Sequence, residues 1–145
     1  MADEPTTNPA AEGLHVTFER LNALAEPPDV AATITEDFSF EDHRSGGVNF
    51  GRLDASGWSK FMNSLWGLDS GQVHRSIIDV IAVRGERSAA VAVRIDYGSG
   101  NFNDFILCQR LDPSLSRVER IAHYDIDDAD AALAELDRLH AEIDN

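Results

Sequence analysis

Asp42 is the first residue whose type and setting point to chemistry. It closes the alternating run Phe38-Ser39-Phe40-Glu41-Asp42, just ahead of His43 and Arg44. Extended backbone puts Phe38, Phe40 and Asp42 on one face, with Ser39 and Glu41 on the other. Burial against two phenylalanines disfavours the carboxylate anion and lifts its pKa toward the range a general base or acid uses. The structural alternative is that Asp42 caps the turn at Ser45-Gly46-Gly47 or pairs with Arg44. His123 is a second candidate. It follows Ile121 in phase on an apolar strand face, where an imidazole can exchange a proton near neutral pH. Its alternative is a buried histidine satisfied by a backbone carbonyl. Arg94 and Asp96 are a third, at i and i+2 on one face together with Ala90 and Ala92. Such a pair can orient a water, or it is an ion pair on an exposed sheet face and contributes little. Arg44 or Arg94 would stabilise developing negative charge. His43 points away from Asp42 if the strand continues, and a bulge would bring it in.

Other clusters carry less. Asp42, His43, His123 and Asp125 match no ligand spacing, so no metal site is assigned. Asp125, Asp127, Asp128 and Asp130 lack the calcium-loop pattern and fit a helix N-terminus instead. Gly98-Ser99-Gly100 sits in a hairpin rather than before a helix, so it is not a phosphate loop. Cys108 reads as a small core residue. No cofactor is implied.

These side chains need elements to hold them. Residues 1–12 are polar, with two prolines, and read as a disordered tail before a single domain spanning 13–145. Leu14, Phe18, Leu21 and Leu24 predict a helix over residues 12–25, ended by Pro27-Pro28. A short helix follows over 29–35, then the strand 38–42. Val48-Asn49-Phe50 reads as a short strand. Asp54 is a plausible N-cap for a helix in which Trp58, Phe61, Met62 and Leu65 recur at i, i+3, i+4 and i+7. Gly67 ends it. Strands at 75–84, 88–96, 102–111 and 117–125, separated by turn signals, form an antiparallel meander. Asp127 or Asp128 caps a final helix with Ala131, Leu133, Leu136 and Leu139 on its apolar face. Helices grouped ahead of a run of strands predict an α+β fold, a curved sheet wrapped over the early helices around a cavity. Trp58, Met62 and Trp66 are core residues first, and the same helix face would line that cavity.

Composition narrows the partners. The formal net charge is −14, with Lys60 the only lysine. Such a chain repels nucleic acid and anionic membranes. No run approaches the ~20 apolar residues of a membrane span. The first residues lack a signal peptide's basic and apolar regions. One cysteine excludes an internal disulfide and fits a reducing compartment, so a cytoplasmic location is expected.

The order of elements resembles the nuclear transport factor 2-like superfamily, in particular its SnoaL-like branch. The strings that carry the resemblance are Glu36-Asp37-Phe38-Ser39-Phe40-Glu41-Asp42, Gly51-Arg52-Leu53-Asp54 and Ile121-Ala122-His123-Tyr124-Asp125, and it covers residues 12–140. It implies a cone-shaped α+β barrel with a pocket between sheet and helices, and a homodimer formed through the sheet. The superfamily includes ketosteroid isomerases, epoxide hydrolases, polyketide cyclases, dehydratases and members that only bind or scaffold. The resemblance places Asp42 at the isomerase general base, while Phe18 and Leu107 fall where that enzyme holds its enolate oxygen. Neither has an acidic proton, which speaks against steroid isomerisation. Arg94 and Asp96 look like the pair in limonene epoxide hydrolase, whose second aspartate aligns with His123. The implied ligand is a small hydrophobic molecule, met by Phe18, Phe40, His43, Arg44, Trp58, Met62, Trp66, Leu107 and Tyr124. The expected function is acid–base catalysis (isomerase, cyclase, dehydratase or epoxide hydrolase type) through Asp42, His123, Arg94 and Asp96. Its alternative is a non-catalytic binding or dimerisation module.

Overall fold

A computed structural model describes residues 7–23, 29–45, 51–69, 73–98 and 100–143, the side chains at 65–69 excepted. In chain order the elements are α1 (Pro9–Ala23), a 3-10 turn (Val30–Thr33), β1 (Ile34–Asp42), β2 (Arg52–Asp54) and α2 (Ala55–Asp69). Then follow β3 (His74–Arg84), β4 (Ser88–Asp96), β5 (Phe102–Leu111), β6 (Val118–Asp125) and α3 (Ala129–Ile143). The four long strands and the third helix lie where hydrophobic periodicity places them. The 3-10 turn replaces the short helix expected over 29–35, and α2 runs past Gly67 to Asp69. The short strand read at Val48-Asn49-Phe50 lies outside the described residues.

The six strands form one sheet in the order β2-β1-β6-β5-β4-β3. β3 to β6 are the antiparallel meander. β1 inserts between β2 and β6, antiparallel to the first and parallel to the second. The sheet is therefore mixed rather than wholly antiparallel, and it does not close into a barrel. Parallel pairing joins segments about eighty residues apart here and leaves no local turn signal to read.

Curvature has an identifiable cause. β3 carries two register shifts, between Ile77 and Asp79 and between Val80 and Ala82, and β1 carries one between Ile34 and Ser39. Each inserts unpaired residues that bend the strand and increase its twist. The bent sheet offers two apolar faces. The inner face packs Phe38, Phe40, Val91, Val93, Phe105 and Leu107 against α1 and Trp58 of α2. The outer face packs Ala90, Ile106, Cys108, Ala122 and Tyr124 against Ala132, Leu136 and Leu139 of α3. Fully burying the valine, leucine, isoleucine and phenylalanine side chains among them stabilises by ~1.5–3 kcal/mol each.

Asparagines fasten α1 to the β3–β4 hairpin at both ends. The Asn8 carboxamide oxygen accepts from Ala11 N at 2.9 Å, an N-cap, while its amide donates to Gly85 O at 2.9 Å and Ser88 O at 2.8 Å. Pro9 occupies the first helical position, where no amide proton is missed. The helix thus begins three residues before the expected boundary, because the capping chemistry lies inside a stretch that reads as polar tail. Asn22 exchanges two hydrogen bonds with the backbone of Arg75, both at 2.8 Å. At the start of α2, Asp54 Oδ1 accepts from Gly57 N at 2.8 Å, the cap expected. No helix among the described residues is long and apolar enough to cross a membrane.

Candidate functional site on the inner sheet face

The parallel pairing of β1 with β6 sets Asp42 directly beside His123, and β5 places Leu107 on the other side of His123. Strand alternation turns Phe40, Asp42, Phe105, Leu107 and His123 toward the inner face. Aromatic rings enclose the imidazole. Phe40 meets it edge-on with centroids 4.8 Å apart, and Phe105 approaches to 4.4 Å. Trp58 packs on Phe40 at 4.7 Å. Phe18 and Met62 are partly buried against the same cluster. Phe18, Phe40, Trp58, Met62 and Leu107 therefore share the inner face with the two candidate acid–base residues. The Trp66 side chain lies outside the described residues.

Asp42 is engaged rather than poised. Its side chain has no exposure, and Arg44 beside it retains 6 %. Arg44 Nε donates to Oδ1 at 2.9 Å and Nη2 to Oδ2 at 2.8 Å, while Arg44 N donates to Oδ1 at 3.1 Å. This two-pronged geometry is the strongest a carboxylate and guanidinium can form, and it favours the ionised carboxylate. The pairing with Arg44 is one of the two structural roles open to Asp42 on sequence. The guanidinium also lies over Phe105, 4.9 Å from the ring centroid.

His123 is the opposite case. It is buried, and neither ring nitrogen has a hydrogen-bond partner among the described residues. Among the described residues no backbone carbonyl satisfies it as the structural alternative requires. Burial first, and then the Arg44 cation, push its pKa down to about 3, with Asp42 opposing. At neutral pH the ring is uncharged, with one N–H donor and one lone-pair acceptor. In that state it has no proton to give as imidazolium; what it offers is a donor and an acceptor in an apolar setting. Leaving both unused costs free energy, about 1–3 kcal/mol for a buried polar group.

Asp125 belongs to the same neighbourhood. It pairs across from Phe105, and its Oδ2 accepts from Ser45 N at 2.9 Å and Ser45 Oγ at 2.7 Å. Those two bonds hold its carboxyl below the usual range. They also tie the segment leaving β1 to the end of β6. On sequence, Asp125 reads as part of an acidic helix start and as a member of the Asp42, His43 and His123 group to which no metal is assigned. Phe105 is legible just as a core residue of β5, though its phase with Leu107 is the signal that it faces His123.

The remaining candidates lie elsewhere. His43 continues the ladder, its N donating to His123 O at 2.9 Å, so no bulge turns it inward. It is exposed, 3.1 Å from Glu41 Oε2, and its ring stacks on Tyr124 at 4.8 Å. Tyr124 packs on the outer face, where burial and Glu135 raise its pKa. Arg94 and Asp96 also face outward, in register with Asp104 and Phe102. Arg94 pairs with Asp104 through two 2.8 Å bonds and lies 4.2 Å above Phe102, while Asp96 accepts from Gly98 N at 2.8 Å. The i, i+2 pair predicted within β4 does not form, because a directly opposed cross-strand carboxylate is nearer in a sheet. Cys108 is buried, its thiol pushed up to about 12 by burial. No cluster of three or more histidine, cysteine or acidic side chains able to hold a metal occurs among the described residues.

Comparison with solved structures supports the fold. Δ5-3-Ketosteroid isomerase from Mycobacterium sp. matches with a TM-score of 0.61 at 11% identity, over 85% of this chain and 97% of that one. BvnE pinacolase from Penicillium brevicompactum matches with a TM-score of 0.57 at 13% identity, over 91% of this chain and 94% of that one. An NTF2-like protein of unknown function from Mesorhizobium loti matches at 0.58 and 12% identity, over 86% and 95% of the two chains. No family model and no curated protein matches the sequence. The chain thus has the NTF2-like cone fold, which is shared by enzymes and by proteins of unknown function and does not itself specify an activity.

Proposed function

We propose that the inner face is a binding site for a small hydrophobic molecule that brings a polar group to the Asp42–His123 row. The observation that carries this is His123, a buried imidazole with two unused nitrogens among Phe40, Phe105 and Leu107. A fold stabilised for its own sake would pair those nitrogens or replace the ring with an apolar one.

Thermal shift against a set of apolar compounds tests this. A true ligand at a hundredfold excess over its Kd adds about 2.7 kcal/mol and raises Tm. Leu107→Trp, which puts a larger side chain directly across from His123, should abolish the shift. Absence of any shift, or shifts that survive Leu107→Trp, would count against the site.

An acid–base enzyme on the same row is the second reading. It is favoured by the adjacency of Asp42 and His123 and by the fold shared with ketosteroid isomerase and pinacolase. It requires Asp42 to release at least one Arg44 bond when substrate binds. Arg94 and Asp96 drop out of either reading, since they face the other side of the sheet, and with them the epoxide hydrolase pattern. Pairing of two copies through the sheet remains part of the proposal, on the strip of β4 and β5 that carries Arg94, Phe102 and Asp104.

A further inference from the structure

We infer that the inner site selects ligands whose polar group is uncharged, a carbonyl or a hydroxyl, and rejects carboxylates and ammonium groups on the same apolar body. This rests on the inner-face binding reading and narrows its ligand class.

The charges on that face already have partners. Arg44, the cation beside the imidazole, holds both oxygens of Asp42. Asp125 is occupied by the backbone and hydroxyl of Ser45. A ligand carboxylate would have to displace Asp42 from Arg44 and leave a buried anion unpaired, which is strongly unfavourable. It would also meet Asp125. A ligand ammonium has the Arg44 guanidinium close by, seated over the same Phe105 ring that His123 touches. The unused hydrogen-bonding capacity of this row is that of His123. Because burial and Arg44 keep the imidazole neutral, it offers one N–H to a carbonyl oxygen or one lone pair to a hydroxyl hydrogen. Neither bond needs a charge on the ligand, and both satisfy a group that is otherwise buried and unpaired. Phe40, Phe105 and Leu107 exclude water around it, so the bond forms where it is worth most.

The test uses one apolar body with four head groups: acetonaphthone, naphthol, naphthoate and naphthylmethylammonium, titrated against the full chain at neutral pH by calorimetry. Acetonaphthone or naphthol should bind at least about tenfold more tightly than the two ions, the factor that 1.4 kcal/mol represents. His123→Phe, which keeps the ring volume and removes both nitrogens, should weaken the neutral ligands about tenfold and erase the preference. His123→Gln, which restores a donor and an acceptor, should recover most of it, and it reports even where the phenylalanine variant fails to fold. Equal binding of neutral and charged probes, or neutral binding untouched by His123→Phe, would overturn this inference and leave the site intact. Failure of all four probes to bind would overturn the site itself.

Discussion

Asp42 and Arg44 stand two residues apart, and the chain buries both. Taking a carboxylate and a guanidinium out of water is costly, and their mutual bonds offset that cost only while both are present. Arg44→Met should therefore destabilise by ~3–5 kcal/mol in urea unfolding, the range for stranding a buried charge. The double variant Asp42→Leu with Arg44→Met should recover most of the loss, since no charge is left unpaired. A loss below about 1 kcal/mol for Arg44→Met would put the pair in the class of exposed ion pairs. His123 gives a second prediction. Its folded pKa lies near 3 and its ordinary value near 6.5. Between those values the unfolded chain binds more protons, so stability falls as pH drops from 6.5 toward 3. The slope from this one group approaches 1.4 kcal/mol per pH unit, roughly the worth of one proton. Unfolding of His123→Phe should be flatter than the parent between pH 5 and 6, above the region where carboxylates such as Asp125 contribute. Parallel curves would mean that His123 is not buried neutral. At this scale the sequence is partly readable. Strand alternation turns Asp42 and His123 to apolar faces, and the Arg44 partnership is a neighbour effect within two residues. The Asp104 partner of Arg94 lies ten residues away across a hairpin, where only register, and not composition, reveals it.

At the scale of elements, β1 decides the site. It bends between Ile34 and Ser39, then pairs with β2 along one edge and in parallel with β6 along the other, and the β6 pairing brings Asp42 to His123. The meander from β3 to β6 is legible because each turn is local and each strand alternates. The β1–β6 contact closes a very long loop, so nothing near either strand announces it. The bulges in β3 are invisible for a related reason: they are mismatches between two strands and belong to neither alone. The face chosen by α3 is likewise a tertiary outcome, although its periodicity is plain. Asn22 illustrates how an element is held by one side chain. β3 is an edge strand, and the Asn22 amide pairs with its backbone as a neighbouring strand would. Asn22→Ala should cost about 1–2 kcal/mol through the loss of these two hydrogen bonds. It should also speed hydrogen exchange at the Arg75 amide by a comparable factor. Unchanged exchange there would show that α1 is held by its apolar contacts alone.

At the scale of the whole molecule, the two proposed functions fall on opposite faces of one sheet. The inner face carries the buried polar row beneath α1 and α2, and the outer face is covered in part by α3. Phe102 is 56% exposed on the outer side, beside Arg94 and Asp104, and this is the strip proposed to meet a second copy. Light scattering should then report a dimer that Phe102→Asp converts to monomer without loss of helix or strand content. A parent chain that is monomeric at high concentration would contradict that arrangement. Beside the outer face, between β1, β2 and α3, runs a groove of about 340 Å³ lined by Ser39, Glu41, Arg52, Arg120, Glu135 and Arg138 among others. Its charges are already engaged: Arg52 with Glu41, Arg138 with Glu135 and Glu142, and Arg120 with the Asp37 and Glu119 carbonyls. It is the natural competitor to the inner site. The direct test is a map of amide and imidazole NMR shifts on the labelled protein as acetonaphthone is added. Shifts gathered on Phe40, Phe105, Leu107 and His123, including the His123 ring nitrogens, are the result predicted. Shifts gathered instead on Ser39, Arg52, Arg120 and Glu135, with the His123 ring unmoved, would contradict it.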